Sequence, residues 1–127
     1  MKRVIQYLDE QGIKHINEGG FLSFRYHEIN FLYLKDERDE DFYSMYVPGV
    51  WKVDNASKYR LLEVINGINN QLKIVKMVVN GDYVWAGIEQ KFIAGADWDE
   101  MMTYSIDILC LAYHLFHDRW SQAVALN

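Results

Sequence analysis

Two histidines in the last third of the chain are spaced so that they could bind a metal ion. His114 and His117 are three residues apart, which places both on one face of a helix. A structural zinc site needs four ligands, and the nearby candidates for the other two are Cys110 and Asp107. The same four side chains also form the polar seam of an otherwise apolar helix, which is the interpretation we favour. We therefore expect no metal and no cofactor.

Nucleophilic and phosphate chemistry have little support in the sequence. Cys110 is the single cysteine, and a lone cysteine inside a helix is usually a small buried hydrophobic residue. It cannot form an internal disulfide, which fits a reducing cytoplasm. There is no G-x-S-x-G sequence, and Gly19-Gly20 lacks the further residues of a phosphate-binding loop. We expect that the chain is not an enzyme.

The acidic charge is concentrated in one short segment. Residues 36–41 hold five acidic side chains and one arginine, whereas the net charge of the whole chain is -5. The segment lacks the glycine and the ligand spacing of an EF-hand, so we expect a solvated hairpin tip rather than a calcium site. Such a tip could steer a basic partner. The remaining residues are close to neutral and include no basic stripe, so no nucleic-acid partner is expected.

The composition predicts one folded domain that spans residues 1–127. Of the 127 residues 50% are hydrophobic and 15% aromatic, enough for a single core. The chain has no run of eighteen apolar residues, so no membrane span or membrane partner is predicted. Gln6, Asp9 and Glu10 interrupt the first apolar stretch, and no signal peptide is readable there. We expect a cytoplasmic protein.

Hydrophobic periodicity and turn residues predict the element order α-β-β-β-α-β-β-α. The predicted helices cover residues 3–11, 57–71 and 98 to past 120, and the predicted strands cover 21–26, 29–35, 42–47, 74–79 and 83–92. Residues 13–20 are a predicted connection, Pro48-Gly49 closes the third strand, and Asn80-Gly81-Asp82 is a hairpin turn. The expected N-caps are Asn55 or Ser57 for the second helix and Asp97, with Glu100, for the last. Short links imply antiparallel pairing, so the predicted fold is α+β with a five-stranded antiparallel sheet packed with helices.

The second predicted helix contains residues that suggest a close junction with the next strand. Asn66 and Asn69 lie beside its apolar row, where amides often bond to neighbouring backbone and fix how a helix meets a strand. Gly67 costs about 1 kcal/mol relative to alanine in a helix interior. Close approach of another backbone would explain that glycine.

The last helix and the strands carry more apolar surface than one covered sheet face requires. The helix has two apolar stripes where one would suffice, and the second and third strands are apolar on both faces. Either the three helices cover both faces within one monomer, or a second copy or a partner covers the aromatic face. The sequence does not decide whether each sheet aromatic lines the core or an interface. The candidate interface residues are Phe31, Tyr33, Tyr46, Trp85, Tyr104, Ile108, Leu111 and Leu115.

Two regions of the sequence resemble a known bacterial family. Leu61 to Asn70, followed by Leu72 to Lys76, resembles the helix–strand signature of the YbjN-like family, often labelled sensory-transduction regulators. Residues 24–31 and 42–50, with Pro48, resemble the strand meander of that family. The resemblance gives Asn66, Asn69 and Lys76 a structural role and offers no catalytic residue.

The same resemblance implies the fold of type III secretion chaperones. Those chaperones are small, acidic, cytoplasmic dimers that bind an extended segment of a client protein. We therefore expect a non-enzymatic, cytoplasmic protein-binding domain of chaperone-like or regulatory type. It is expected to form a homodimer and to bind a client or regulatory protein. The alternative is a small-molecule-binding sensory domain in which the aromatic residues line a pocket, since ligand pockets are commonly apolar with a few polar groups.

Overall fold

A computed structural model describes residues 1–125 and contains three helices and six strands within them. The elements, in chain order, are α1 (Lys2–Glu10), β1 (His15–Asn17), β2 (Phe21–Tyr26), β3 (Ile29–Lys35), β4 (Phe42–Lys52), α2 (Lys58–Gln71), β5 (Lys76–Asn80), β6 (Tyr83–Lys91) and α3 (Trp98–Ala125). All six strands form one antiparallel sheet in the order β1-β2-β3-β4-β6-β5. The α+β class and the order of the predicted elements are confirmed.

The sheet has six strands in the described residues, so the predicted number of five is wrong. The additional strand is β1, in the segment predicted to be a connection. Ile16 pairs with Ser23 of β2, and the two neighbouring residues of β1 pair with Phe24 and Leu22. A three-residue edge strand with one apolar side chain has too little alternation to stand out in a sequence.

The fourth strand continues past the point where Pro48-Gly49 was predicted to end it. The register of β4 against β6 shifts between Val47 and Trp51, which marks a bulge or an irregularity. Proline is tolerated in a sheet at such a place because no ladder hydrogen bond is needed from it. Gly49 has φ +62°, a conformation that glycine adopts without steric cost. The strand therefore resumes and extends to Lys52.

Helix starts follow from side-chain caps close to the predicted positions. The Asp97 carboxylate accepts a hydrogen bond from the Glu100 backbone N–H at 3.1 Å, as the capping-box pattern predicts. Before α2, a single 3-10 turn intervenes, and Asp54 caps it by accepting from the Ala56 N–H at 3.1 Å. Ser57 is the N-cap residue of α2, one of the two predicted, but its side chain makes no capping hydrogen bond.

All buried strand side chains lie on one face of the sheet, and the helices pack against that face. The core of this layer contains Leu22, Phe24, Phe31, Tyr33, Met45, Val47, Met77, Val84, Ala86 and Ile88 from the strands. The apolar stripe of α3 that includes Met102, Leu109 and Phe116 packs into the same core. The Tyr7 hydroxyl and Thr103 Oγ1, 2.6 Å apart, join α1 to α3. The possibility that helices cover both faces within one monomer is thus wrong for the described residues.

The glycine inside α2 does not lie against another backbone. The nearest atom to a Cβ built on Gly67 is Nη1 of Arg119, at 3.8 Å. The Arg119 guanidinium donates a hydrogen bond to the Gln71 side chain, so it bridges α3 and the end of α2. The predicted reason for Gly67 is therefore wrong, because only a flexible side chain approaches it.

Candidate interaction surfaces

The sheet face opposite the helices, which we call the open face, carries apolar side chains from every strand. Strand register places them side by side, with Leu32 opposite Tyr46 and Val78 opposite Trp85. Most of them are half-buried or exposed, and Ile16 is 63% exposed. Exposed apolar side chains gathered on one face of a sheet usually mark an interaction site. The apolar members of the open face are Ile16, Phe21, Leu32, Leu34, Phe42, Tyr46, Val78, Tyr83 and Trp85.

Tyr46 lies flat on a glycine in the middle of the open face. A Cβ at Gly87 would come within 2.4 Å of Tyr46 Cδ1 and 2.6 Å of Cε1, so the ring occupies the space that any other residue would fill. The edge of the Tyr46 ring meets Trp85 at a centroid distance of 5.9 Å. The Tyr46 hydroxyl donates to Glu89 Oε1 at 3.4 Å, and Lys76 Nζ lies 3.1 Å from the same oxygen. These residues border a cavity of about 440 Å³.

Charge differs between the two ends of the open face. The acidic tip, residues 36–41, joins β3 to β4 beside Leu34 and Phe42. One of its carboxylates, Asp39, lies 3.2 Å from Lys91 Nζ, and backbone and lysine hydrogen bonds lower the pKa of that carboxyl. Arg25 lies at the opposite end, next to the turn between β2 and β3. The acidic tip and Arg25 therefore lie at opposite ends of the open face.

A second exposed apolar surface runs along the outer side of α3. Tyr104 and Leu111 are each 48% exposed, and Ile108 and Leu115 are half-buried. Together with Met101 they repeat at alternating intervals of three and four residues. That spacing produces the narrow apolar seam by which helices pair in coiled coils. We call this row the outer stripe; it lies on the helical side of the molecule, away from the open face.

Two of the candidate interface aromatics belong to the chain's own core. Phe31 is fully buried and stacks on Phe24, with ring centroids 4.9 Å apart. Tyr33 stacks on Tyr43, and burial raises the pKa of Tyr33 to about 12. Neither side chain offers surface to a partner, so the interface alternative is wrong for these two residues.

Asn69 holds the outer edge of β5 to α2. Its amide accepts a hydrogen bond from the Met77 N–H at 2.8 Å and donates to the Met77 carbonyl oxygen at 3.0 Å. The Asn69 side chain thus makes with Met77 the two backbone hydrogen bonds that a neighbouring strand would otherwise make. Asn66 is exposed and makes no such contact within residues 1–125, and Lys76 lies on the open face beside Glu89.

The residues considered for chemistry do not assemble into a site. No group of three or more potential ligands among His, Cys, Asp and Glu is found in the described part of the chain. His114 is exposed, whereas His117 packs between Tyr113 and Trp51, with ring distances of 4.5 and 5.8 Å. Burial, with a smaller effect of His114, lowers the pKa of His117. Burial likewise raises the pKa of the Cys110 thiol, which makes it a poorer nucleophile.

Two features of the open face were missed in the sequence. Ile16 was overlooked because its strand has three residues and only one apolar side chain, too few for alternation to be recognised. Gly87 was overlooked although a glycine inside an apolar strand often marks close approach of another group.

Among the described residues no helix is both long and apolar enough to cross a membrane.

Solved structures with similar folds include two with almost full coverage. The crystal structure of YbjN from E. coli, a candidate transcription regulator, matches with a TM-score of 0.71 at 10% identity over 95% of this chain and 91% of YbjN. An uncharacterized protein from Methanothermobacter thermautotrophicus matches with a TM-score of 0.70 at 11% identity over 95% of this chain and 96% of that protein. No family model and no curated protein sequence matches the chain. The chain therefore has a YbjN-like fold.

Proposed function

We propose that this chain, a YbjN-like fold, is a non-enzymatic protein-binding domain of regulatory or chaperone-like type. The open face would bind a segment of a partner protein, and the outer stripe would join two copies of the chain. The observation that carries the proposal is the group of exposed and half-buried apolar side chains on a sheet face that no described helix covers. Burying such surface is the main driving force for protein association.

The acidic tip indicates the chemistry of the partner segment. Five carboxylates lie at one end of the open face, and only one of them has a lysine partner within the described residues. A segment with apolar side chains flanked by Lys or Arg would match both parts of this surface. The charges would accelerate association, and added salt would slow it. This arrangement supports a regulatory role through protein contact rather than through nucleic acid.

The edges of the sheet favour docking on the face over addition of a strand. At one edge β1 has only three residues, and at the other edge Asn69 occupies the backbone groups of Met77. Short or covered edges give a partner strand few hydrogen bonds. The partner would therefore be held by side-chain contacts with residues such as Tyr46, Trp85 and Val78.

Selection of random peptides displayed on phage tests the partner proposal. We expect enriched peptides to combine apolar residues with Lys or Arg, and their affinity to fall with salt. Trp85→Glu should weaken the selected peptide by about tenfold or more, since buried aromatic anchors commonly contribute 2 kcal/mol or more. Tyr59→Glu is the matched control, because Tyr59 is 78% exposed on α2. Equal loss in both variants, or enrichment of acidic peptides, would contradict the proposal.

Sedimentation equilibrium tests the outer stripe separately. Leu111→Glu places a charge in the centre of the seam and should convert a dimer to a monomer. Ile93→Glu is the control, because Ile93 is 70% exposed in the link before α3 and should leave the dimer intact. A wild-type monomer at micromolar concentration, or a dimer broken by Trp85→Glu but not by Leu111→Glu, would refute this assignment.

A further inference from the structure

A cavity opens at the end of the open face that carries Arg25. It measures about 810 Å³, which lies within the range of sites that hold small molecules. Residues 12–16, the link from α1 into β1, form one wall. The floor is formed by three paired rungs of β2 and β3, which include Ser23 opposite Leu32 and Arg25 opposite Asn30.

The walls of this cavity combine apolar groups with cations that have no carboxylate partner. Ile16 and Leu32 supply exposed or half-buried apolar surface. Lys14 and Arg25 are exposed, and within residues 1–125 neither forms an ion pair. The one carboxylate at the rim, Asp9, is already engaged, because its Oδ1 lies 2.8 Å from His15 Nε2.

We propose that the cavity binds a small anionic amphiphile, a carboxylate attached to a short hydrocarbon body. The hydrocarbon would cover Ile16 and Leu32, which otherwise face water. The carboxylate would lie between Lys14 and Arg25, and a guanidinium can hold both carboxylate oxygens in a bidentate contact. The Asn30 amide adds a neutral donor. This activity goes beyond partner binding and uses residues away from the acidic tip and from Trp85.

Titration of the isotope-labelled full chain with sodium octanoate tests the proposal by amide NMR shifts. We expect saturable changes in residues 12–16, 23–25 and 30–32. Arg25→Gln should weaken binding by about tenfold, the equivalent of one lost charge-assisted hydrogen bond. Arg38→Gln, the same change within the acidic tip, is the matched control and should leave the affinity unchanged. Octanol, which lacks the charge, should bind at least about tenfold more weakly than octanoate for the same reason.

The proposal fails if octanoate does not saturate, if its shifts fall outside these residues, or if octanol binds equally well. It also fails if Arg25→Gln binds octanoate as the control does. Should Arg25→Gln not fold, Lys14→Gln provides the second variant, because Lys14 lies in the link before β1. None of these results changes the expected peptide binding at Trp85, so the two proposals can fail independently.

Discussion

Substituting alanine for Gly87 should change the shape of the open face while it leaves stability nearly unchanged. The added Cβ would lie 2.4 Å from Tyr46 Cδ1, whereas carbon atoms in contact are about 3.5–4.0 Å apart. The ring must therefore move by more than about 1 Å to reach that contact distance. Movement is feasible because Tyr46 is only half-buried and no described element lies above it.

The opposing contributions to the free energy of unfolding are of similar size. Moving the ring sacrifices its edge contact with Trp85, and such aromatic pairs contribute about 0.5–1.5 kcal/mol. Gly87 does not have a positive φ, so alanine should gain about 0.4–1 kcal/mol by restricting the unfolded chain. We expect a net change within about 1 kcal/mol of zero from these two terms.

Urea unfolding of a double-mutant cycle measures this balance. In a Tyr46→Ala background the obstruction is gone, so Gly87→Ala should become stabilising, and the two substitutions should show a coupling of about 0.5–1.5 kcal/mol. Gly20→Ala is the control, because no atom lies within 4 Å of its Cβ and its φ is not positive. A loss above about 3 kcal/mol would mean overpacking against an immobile neighbour. That loss, or zero coupling, would refute the idea that Tyr46 rests freely on an open face.

Three further substitutions test other parts of the structure. Gly67→Ala should stabilise the chain by about 0.5–1 kcal/mol in urea unfolding, because only the mobile Arg119 side chain approaches; destabilisation would show that α2 needs the space. Asn69→Ala should cost about 1–3 kcal/mol through unpaired backbone groups, and Asn66→Ala, its control, less than about 0.5 kcal/mol. Burial lowers the pKa of His117, so as the pH falls the unfolded chain takes up a proton on this imidazole before the folded chain does. The free energy of unfolding should therefore decrease as the pH drops below 6.5. Thermal melts of His117→Gln over the same pH range should lack this contribution to the pH dependence.

The strands that could be predicted are those whose limits are marked in the local sequence. β2, β3 and β6 are apolar runs bounded by turn residues, and their predicted limits agree with the structure to within one residue. The start of β5 differs because Ile74 adopts a positive φ of 59°, which no local pattern indicates. The continuation of β4 beyond Pro48 depends on pairing with β6, a long-range contact that sequence periodicity does not contain.

The candidate surface was harder to predict because both faces of the sheet are aromatic. Alternation correctly grouped Phe31 with Tyr33 and separated them from Leu32, but it could not indicate which group the helices cover. That choice depends on how three helices pack together on one layer. The two apolar stripes of α3 were predicted. The stripe that includes Met102 and Leu109 is buried in the core, whereas the outer stripe is partly exposed.

Mapping of the bound peptide by amide chemical shifts tests the central claim most directly. Titration of the labelled chain with the selected peptide should shift residues around Tyr46, Val78 and Trp85, and those of the acidic tip. Residues of α2 and of the outer stripe should be unaffected. Shifts concentrated on α2 and α3, with the β4 and β6 amides unchanged, would contradict the claim that the open face is where this domain binds its partner.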